Sequence, residues 1–157
     1  MNLVLTRFEK SDLGMLETWC KSIQSDQFMS RVTPDLYTKG GSVKNELWDW
    51  YLINQNNQPM GTIWIEKSNP SSEMAKLGIL LGSDELFGKG IGSQSVLLAI
   101  KLSYKNLKFR TVQLNVRKSN SRAISCYRKC GFSIIREGKK INEANEEIEF
   151  YTMQLNL

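Results

Sequence analysis

The sequence predicts a mixed α/β domain, a single sheet with helices on both faces, in which antiparallel hairpins flank a central β-α-β-α-β unit. Three observations lead there. Apolar residues switch along the chain between alternation, the period of a strand, and a three-to-four spacing, the period of a helix. Residues 77–81, Leu-Gly-Ile-Leu-Leu, are almost continuously apolar, as a strand covered on both faces must be. Glycine- and asparagine-rich breaks then separate the periodic segments. With 157 residues and 41% hydrophobic content the chain is long and apolar enough for one domain, spanning 1–157.

Residues 3–8 alternate as a first strand. Ser11 stands where it can cap a helix whose apolar positions are Leu13, Leu16, Trp19 and Ile23. Residues 24–46 are polar and irregular, with Pro34 and a Gly40-Gly41 pair, and read as a loop or short helix over a site. Residues 48–53 and 61–66 are rich in aromatic and β-branched side chains and form a hairpin around Asn54–Pro59. Trp48 and Trp50 share one face of it with Trp64 opposite, a core arrangement first and an aromatic wall for an acceptor second. After strand 77–81 comes Gly88-Lys89-Gly90-Ile91-Gly92, then a helix over about 94–106 with Val96, Leu97, Ile100 and Tyr104 inward. Residues 111–116 form a strand with Val112, Leu114 and Val116 on one face. A helix from Asn120 is ended by Gly131, which tolerates the left-handed conformation. Residues 132–136 and 147–155 supply the last two strands.

Composition excludes whole classes of chemistry. There is no histidine, so Ser-His-Asp and Cys-His catalysis and imidazole-ligated zinc are absent. Three cysteines, Cys20, Cys126 and Cys130, suggest no disulfide framework, and two thiols without further ligands make a poor metal site, so no metal is expected. No run approaches eighteen apolar residues, and the first residues lack the layout of a secretory leader. A cytoplasmic protein with no membrane span is the expectation.

The net charge of +5 is unevenly placed. Residues 86–136 hold eleven Lys and Arg and no acid, while the segments on either side are each net −3. One third of the chain is built to meet an anion. A basic RNA-binding module is one reading, but no RNA-recognition motif accompanies the block, so nucleic acid is an unlikely partner. A polyphosphorylated ligand is the other. Strand, glycine-rich turn and helix form the arrangement that aims unpaired N–H groups at a phosphate. The spacing at Gly88–Ser93 matches neither the dinucleotide fingerprint nor the Walker loop.

About thirty residues downstream lies Asn120-Ser121-Arg122-Ala123-Ile124-Ser125-Cys126-Tyr127-Arg128-Lys129-Cys130-Gly131-Phe132. Gly-Lys-Gly-Ile-Gly together with N-x-x-A-x-x-x-Y-x-K-x-G-F resembles the two signature segments of the GNAT superfamily, the acyl-CoA-dependent N-acetyltransferases. The order of elements resembles that family's over the whole chain. Leu77-Gly78-Ile79 and Glu85-Leu86-Phe87-Gly88-Lys89-Gly90 are most similar to its ribosomal-protein and polyamine acetyltransferase branch.

The resemblance implies acetyl-CoA as co-substrate. Its pyrophosphate is expected on the amides of Phe87, Gly88, Lys89, Gly90, Ile91, Gly92 and Ser93, although Phe87 stands where the family usually has Arg or Gln. The pantetheine arm is expected along Ile79, Leu80, Leu81 and Gly82, with Asn120 bonded to it and Ala123 in the same segment. A backbone N–H near Leu80 or Leu81 would meet the thioester oxygen. Tyr127, two turns after Asn120, is the expected general acid at the sulfur.

No general base stands out. Asn115 and Lys76 occupy positions where relatives place catalytic groups, and an amide takes no proton at neutral pH. Glu73, Asp84, Glu85, Glu146, Glu147 and Glu149 are unranked candidates. The acceptor is expected to be a small-molecule amine or a protein N-terminus, drawn to the acidic remainder around Glu143, Glu146, Glu147 and Glu149. A non-catalytic acyl-CoA sensor is the competing reading, and a second copy of the chain is a candidate partner.

Overall fold

The computed structural model describes residues 2–25, 29, 31–38, 42–43 and 45–157. The Gly40-Gly41 pair lies outside the described residues. Seven strands form one sheet: β1 (Leu3–Arg7), β2 (Trp48–Gln55), β3 (Gln58–Lys67), β4 (Met74–Leu81), β5 (Thr111–Arg117), β6 (Ser133–Ile141) and β7 (Glu147–Asn156). Among the described residues four α-helices accompany them: α1 (Leu13–Ile23), α2 (Asp35–Thr38), α3 (Ile91–Leu107) and α4 (Ser121–Lys129). The strand order is β1-β2-β3-β4-β5-β7-β6. Every pairing is antiparallel except β4 with β5. The β-α-β-α-β unit is therefore present in chain order, but β7 inserts between its last two strands.

Each face of the sheet has its own core. On the α3/α4 face, Ile53, Ile63, Ile65, Leu77, Val112, Leu114 and Met153 pack with Val96 and Ala99 of α3. On the α1/α2 face, Phe8, Leu16, Trp48, Trp50, Trp64 and Leu80 form the second core. Phe8 stacks on Trp50 with ring centroids 4.0 Å apart and planes 3° from parallel. The Trp50 indole donates to Thr62 Oγ1 at 2.7 Å, so its one polar atom is satisfied inside the apolar layer. Trp48 and Trp50 are thus core residues, and Trp64 pairs directly with Trp50 across the hairpin.

Local chemistry explains most boundaries. Asn56 and Asn57 turn the β2–β3 hairpin with φ of 52° and 64°, the left-handed pair that suits a two-residue turn. Buried Lys67 donates to the carbonyls of Leu107 (2.7 Å) and Pro70 (2.9 Å), which places a cation at the negative end of α3. Two expectations need correction. Ser11 sits inside a 3-10 turn, Lys10–Asp12, and the capping is done by the reciprocal Glu9–Asp12 pair. Leu97 and Tyr104 are 50% and 49% exposed, while Ser95, Ala99 and Ser103 face the sheet. Small side chains let α3 lie close on the strands, and Ser103 Oγ meets the Tyr51 hydroxyl at 2.8 Å.

Gly78 shows how tightly the α1/α2 face is packed. A Cβ there would lie 2.0 Å from the Trp64 ring, which rests directly on β4. Gly78→Ala is therefore expected to force the indole aside and cost about 1–3 kcal/mol, the range for overpacking a filled core. Urea denaturation of the two proteins measures it.

Candidate active site

The site begins with strands that stop pairing. β4 is paired with β3 from Lys67↔Ala75 through Gly61↔Leu81, but with β5 only at Met74↔Thr111, Ala75↔Val112 and Lys76↔Gln113. Beyond Lys76 the second edge of β4 faces no strand among the described residues. Alternate residues of 77–81 therefore aim backbone N–H and C=O groups into a cleft of about 900 Å³. Because β4 and β5 are parallel, both end on this side of the sheet, and the chain leaving each one enters a helix there. The N-termini of α3 and α4 thus gather at the mouth of the cleft, the place where open α/β sheets hold their ligands.

The loop after β4 starts with a 3-10 turn, Asp84–Leu86, capped by Ser83 Oγ. Gly88 and Gly90 then take φ of 74° and 81°, the region that favours glycine. A Cβ on Gly88 would meet nothing within 4 Å, so conformation and not crowding requires the glycine. Gly90 is the N-cap of α3, and the first amides of that helix have no partner within it. Gly88, Gly90, Gly92 and Ser93 line the cleft. Phe87 does as well, and the Arg122 guanidinium lies 3.3 Å from its ring centroid. The aromatic ring thereby fixes a cation of α4 beside the glycine loop. Arg122 was not among the expected site residues; its only sequence signal was membership of the acid-free block.

On α4, Asn120 Oδ1 accepts from the Ala123 amide at 3.3 Å, capping the helix and leaving the side-chain NH2 group for other work. Asn120, Ala123 and Tyr127 all line the cleft with Ile79, Leu80 and Leu81. Tyr127 is buried, and burial pushes its phenol above the ordinary range; the neighbouring cysteines add to this. Its hydroxyl has no hydrogen-bond partner among the described residues. Cys126 lies beside it in the lining. The approach of the two sulfurs lowers the Cys126 thiol and raises Cys130, which is buried and whose thiol donates to Ser93 O at 3.5 Å.

Three expected residues fall outside the lining. Gly82 is covered by the Trp19 ring, and its N–H already donates to Met60 O at 2.8 Å. Ile91 is 1% exposed in the α3/α4 core, and the Lys89 side chain is exposed beyond the cleft. None of the six candidate base carboxylates lines the cleft either. Asp35 of α2 is the one carboxylate in the lining among the described residues. Asn115 lines the cleft with its Oδ1 accepting from Thr152 Oγ1 at 2.7 Å, and Arg136 donates to that same hydroxyl at 3.2 Å.

The cleft continues through the gap onto the α1/α2 face, and this half is basic. Register puts Gln113, Asn115 and Arg117 on that face of β5, opposite the buried Val112, Leu114 and Val116. Arg31, Lys76, Arg117, Arg136 and Lys140 line it, against Asp35. Glu66, buried nearby, is held by Arg31 at 2.6 Å and by the Asp35 amide at 2.7 Å. The expected attraction to the last strand's acids does not fit this layout. Glu147 and Glu149 stand on the other face of β7, where Lys139 lies 3.3 Å and 4.0 Å from them and Lys118 reaches Glu149 at 3.9 Å.

A parted parallel pair, a glycine turn at a helix N-terminus and a tyrosine beside the gap define an acyl-CoA-dependent acetyltransferase architecture. The acetyltransferase (GNAT) domain family model matches residues 2–133, and the chain belongs to that family. It is 28% identical over 109 residues to the spermidine N(1)-acetyltransferase of Escherichia coli, 69% of this chain and 56% of that one. Across the first curated relatives, the match spans between 19% and 56% of their own length. The fold is similar to that of the ribosomal L7/L12 α-N-protein acetyltransferase RimL (TM-score 0.80, 18% identity, 100% of this chain and 91% of that one). It is also similar to the Vibrio cholerae spermidine N-acetyltransferase solved with CoA and spermine (TM-score 0.72, 18% identity, 99% and 95%).

The thiol pair generates a direct test. With its pKa lowered and its sulfur at the cleft, Cys126 is expected to react with iodoacetamide at pH 7.5 roughly tenfold faster than Cys130 or Cys20, both of which are shifted upward. Peptide mass spectrometry of a labelling time course resolves the three sites.

Proposed function

We propose that this chain transfers an acetyl group from acetyl-CoA to a primary amine by direct attack, without an enzyme-bound acyl intermediate. The observation that carries the reading is the unpaired edge of β4 opening beside the N-terminus of α3. An extended pantetheine arm can complete that edge as a strand would, with its pyrophosphate on the Gly88–Ser93 amides and beside Arg122. The fit is favourable: nothing lies within 4 Å of the Gly88 Cβ position, and the lining supplies amides and cations there.

The chemistry then needs few side chains. The amine enters from the α1/α2 face, and its nitrogen bonds to the acyl carbon as the carbon–sulfur bond breaks. By alternation with Gly82, whose N–H is bonded to β3, the Leu81 amide faces the gap and is the donor for the charge that grows on the acyl oxygen. Tyr127 supplies a proton to the departing thiolate, and the nitrogen's proton leaves through the open acceptor side, where Asp35 lies in the lining. A small-molecule amine and a protein N-terminus both remain acceptors of the right reactivity. Amine-dependent thiol release distinguishes this enzyme from an acyl-CoA sensor, which would bind without turnover.

Two variants probe the two halves. Gly90→Val places a β-branched residue at φ 81°, so CoA affinity should fall at least tenfold by calorimetry. Gly14→Ala, with nothing within 4 Å of the new Cβ, should leave it unchanged. Tyr127→Phe should lower kcat about 10²-fold while KM for acetyl-CoA barely moves, because the donor acts mainly on the leaving sulfur. Steady-state thiol release measures both constants.

A further inference from the structure

We infer that the acceptor amine also carries an oxyanion, a carboxylate or a phosphate, held by the cations on the α1/α2 side of the cleft. This rests on the acetyl-transfer reading and names its second substrate's class. The first observation is charge: Arg117, Arg136 and Lys76 project from three different strands into one half of the cleft, with Asp35 the only carboxylate among its described lining residues. Register places Arg117 beside Phe150 and Arg136 beside Thr152, so both arginines stand on the same face of the β5-β7-β6 half-sheet. Burial lowers the Lys140 ammonium, and the approach of Arg117 and Arg31 adds to it.

The second observation concerns hydrogen bonding. Two buried donors in this lining have no partner among the described residues: Arg117 Nε and the indole Nε1 of Trp64, a residue 1% exposed. Buried polar atoms are almost always paired, so unpaired ones in a cleft point to a ligand. Asn115 adds a third donor. Its Oδ1 accepts from the Thr152 hydroxyl, which in turn accepts from Arg136. The Asn115 NH2 group is left for the cleft. Donors from an indole, a guanidinium and an amide suit an oxyanion, which accepts several hydrogen bonds at once. A polyamine offers them only more donors.

The test compares acceptors matched in size: 1,3-diaminopropane, 3-aminopropanol, 3-aminopropanoate and 3-aminopropyl phosphate, then glucosamine against its 6-phosphate, with spermidine alongside. The expected result is a kcat/KM at least tenfold higher for the anionic member of a set, the carboxylate and phosphate arms telling the two oxyanions apart. Arg117→Gln should abolish that preference without changing CoA affinity. Should the variant not fold, succinate inhibition of the unaltered protein serves instead, expected to be competitive with the acceptor and not with acetyl-CoA. Acetylation led by spermidine or the diamine overturns the inference and leaves the acetyltransferase reading standing. CoA binding without transfer to any acceptor overturns both.

Discussion

Everything at the site follows from a sheet whose middle pairing stops after three residues. β4 and β5 share Met74–Lys76 and Thr111–Gln113 and then separate, each still held by its outer neighbour. An exposed strand edge ordinarily invites unwanted pairing. Here the edge is enclosed between half-sheets, with α3 and α4 beneath, so only a slender extended ligand can reach it. The parallel sense of the pair is equally necessary. It brings the ends of both strands, and so the starts of both following helices, to the side where the gap opens.

Much of this was legible in the sequence. The apolar run at 77–81, the glycines at 88 and 90, and the Asn120 to Tyr127 spacing each encode a local requirement: burial on both faces, a left-handed turn, one side of a helix. The phase of α3 was not legible, because large Leu97 and Tyr104 outweigh small Ser95, Ala99 and Ser103 in any count of hydrophobicity. Close packing on a sheet reverses that weighting. The fate of Lys67, buried at the end of α3, depends on a contact forty residues away that no local pattern announces.

The placement of charge escapes the sequence for a related reason. A count along the chain treats residues 137–157 as one acidic block, but a strand sends alternate side chains to opposite faces. In β7, Glu147 and Glu149 go to one face, where Lys139 and Lys118 meet them, and Phe150 and Thr152 go to the other. Only the second face touches the cleft, and there the neighbouring strands supply Arg117, Arg136 and Lys140. Net charge of a segment therefore says little about a sheet until the register is known.

The buried Tyr127 raises an apparent difficulty for the proton transfer we propose for it, since burial makes its phenol a weaker acid. An unperturbed phenol near 10 is already uphill of a thiol near 8.5 by about two kcal/mol. The same dry surroundings act on the leaving thiolate, however. An anion forming on sulfur inside the cleft loses hydration as a phenolate would, so its proton affinity rises alongside that of Tyr127. What governs the transfer is the difference between the two, and shared desolvation leaves that difference small. The absence of a competing partner for the Tyr127 hydroxyl among the described residues has the complementary effect. Its hydrogen is not committed elsewhere when the sulfur needs it, and no protein hydrogen bond must be broken before the proton moves.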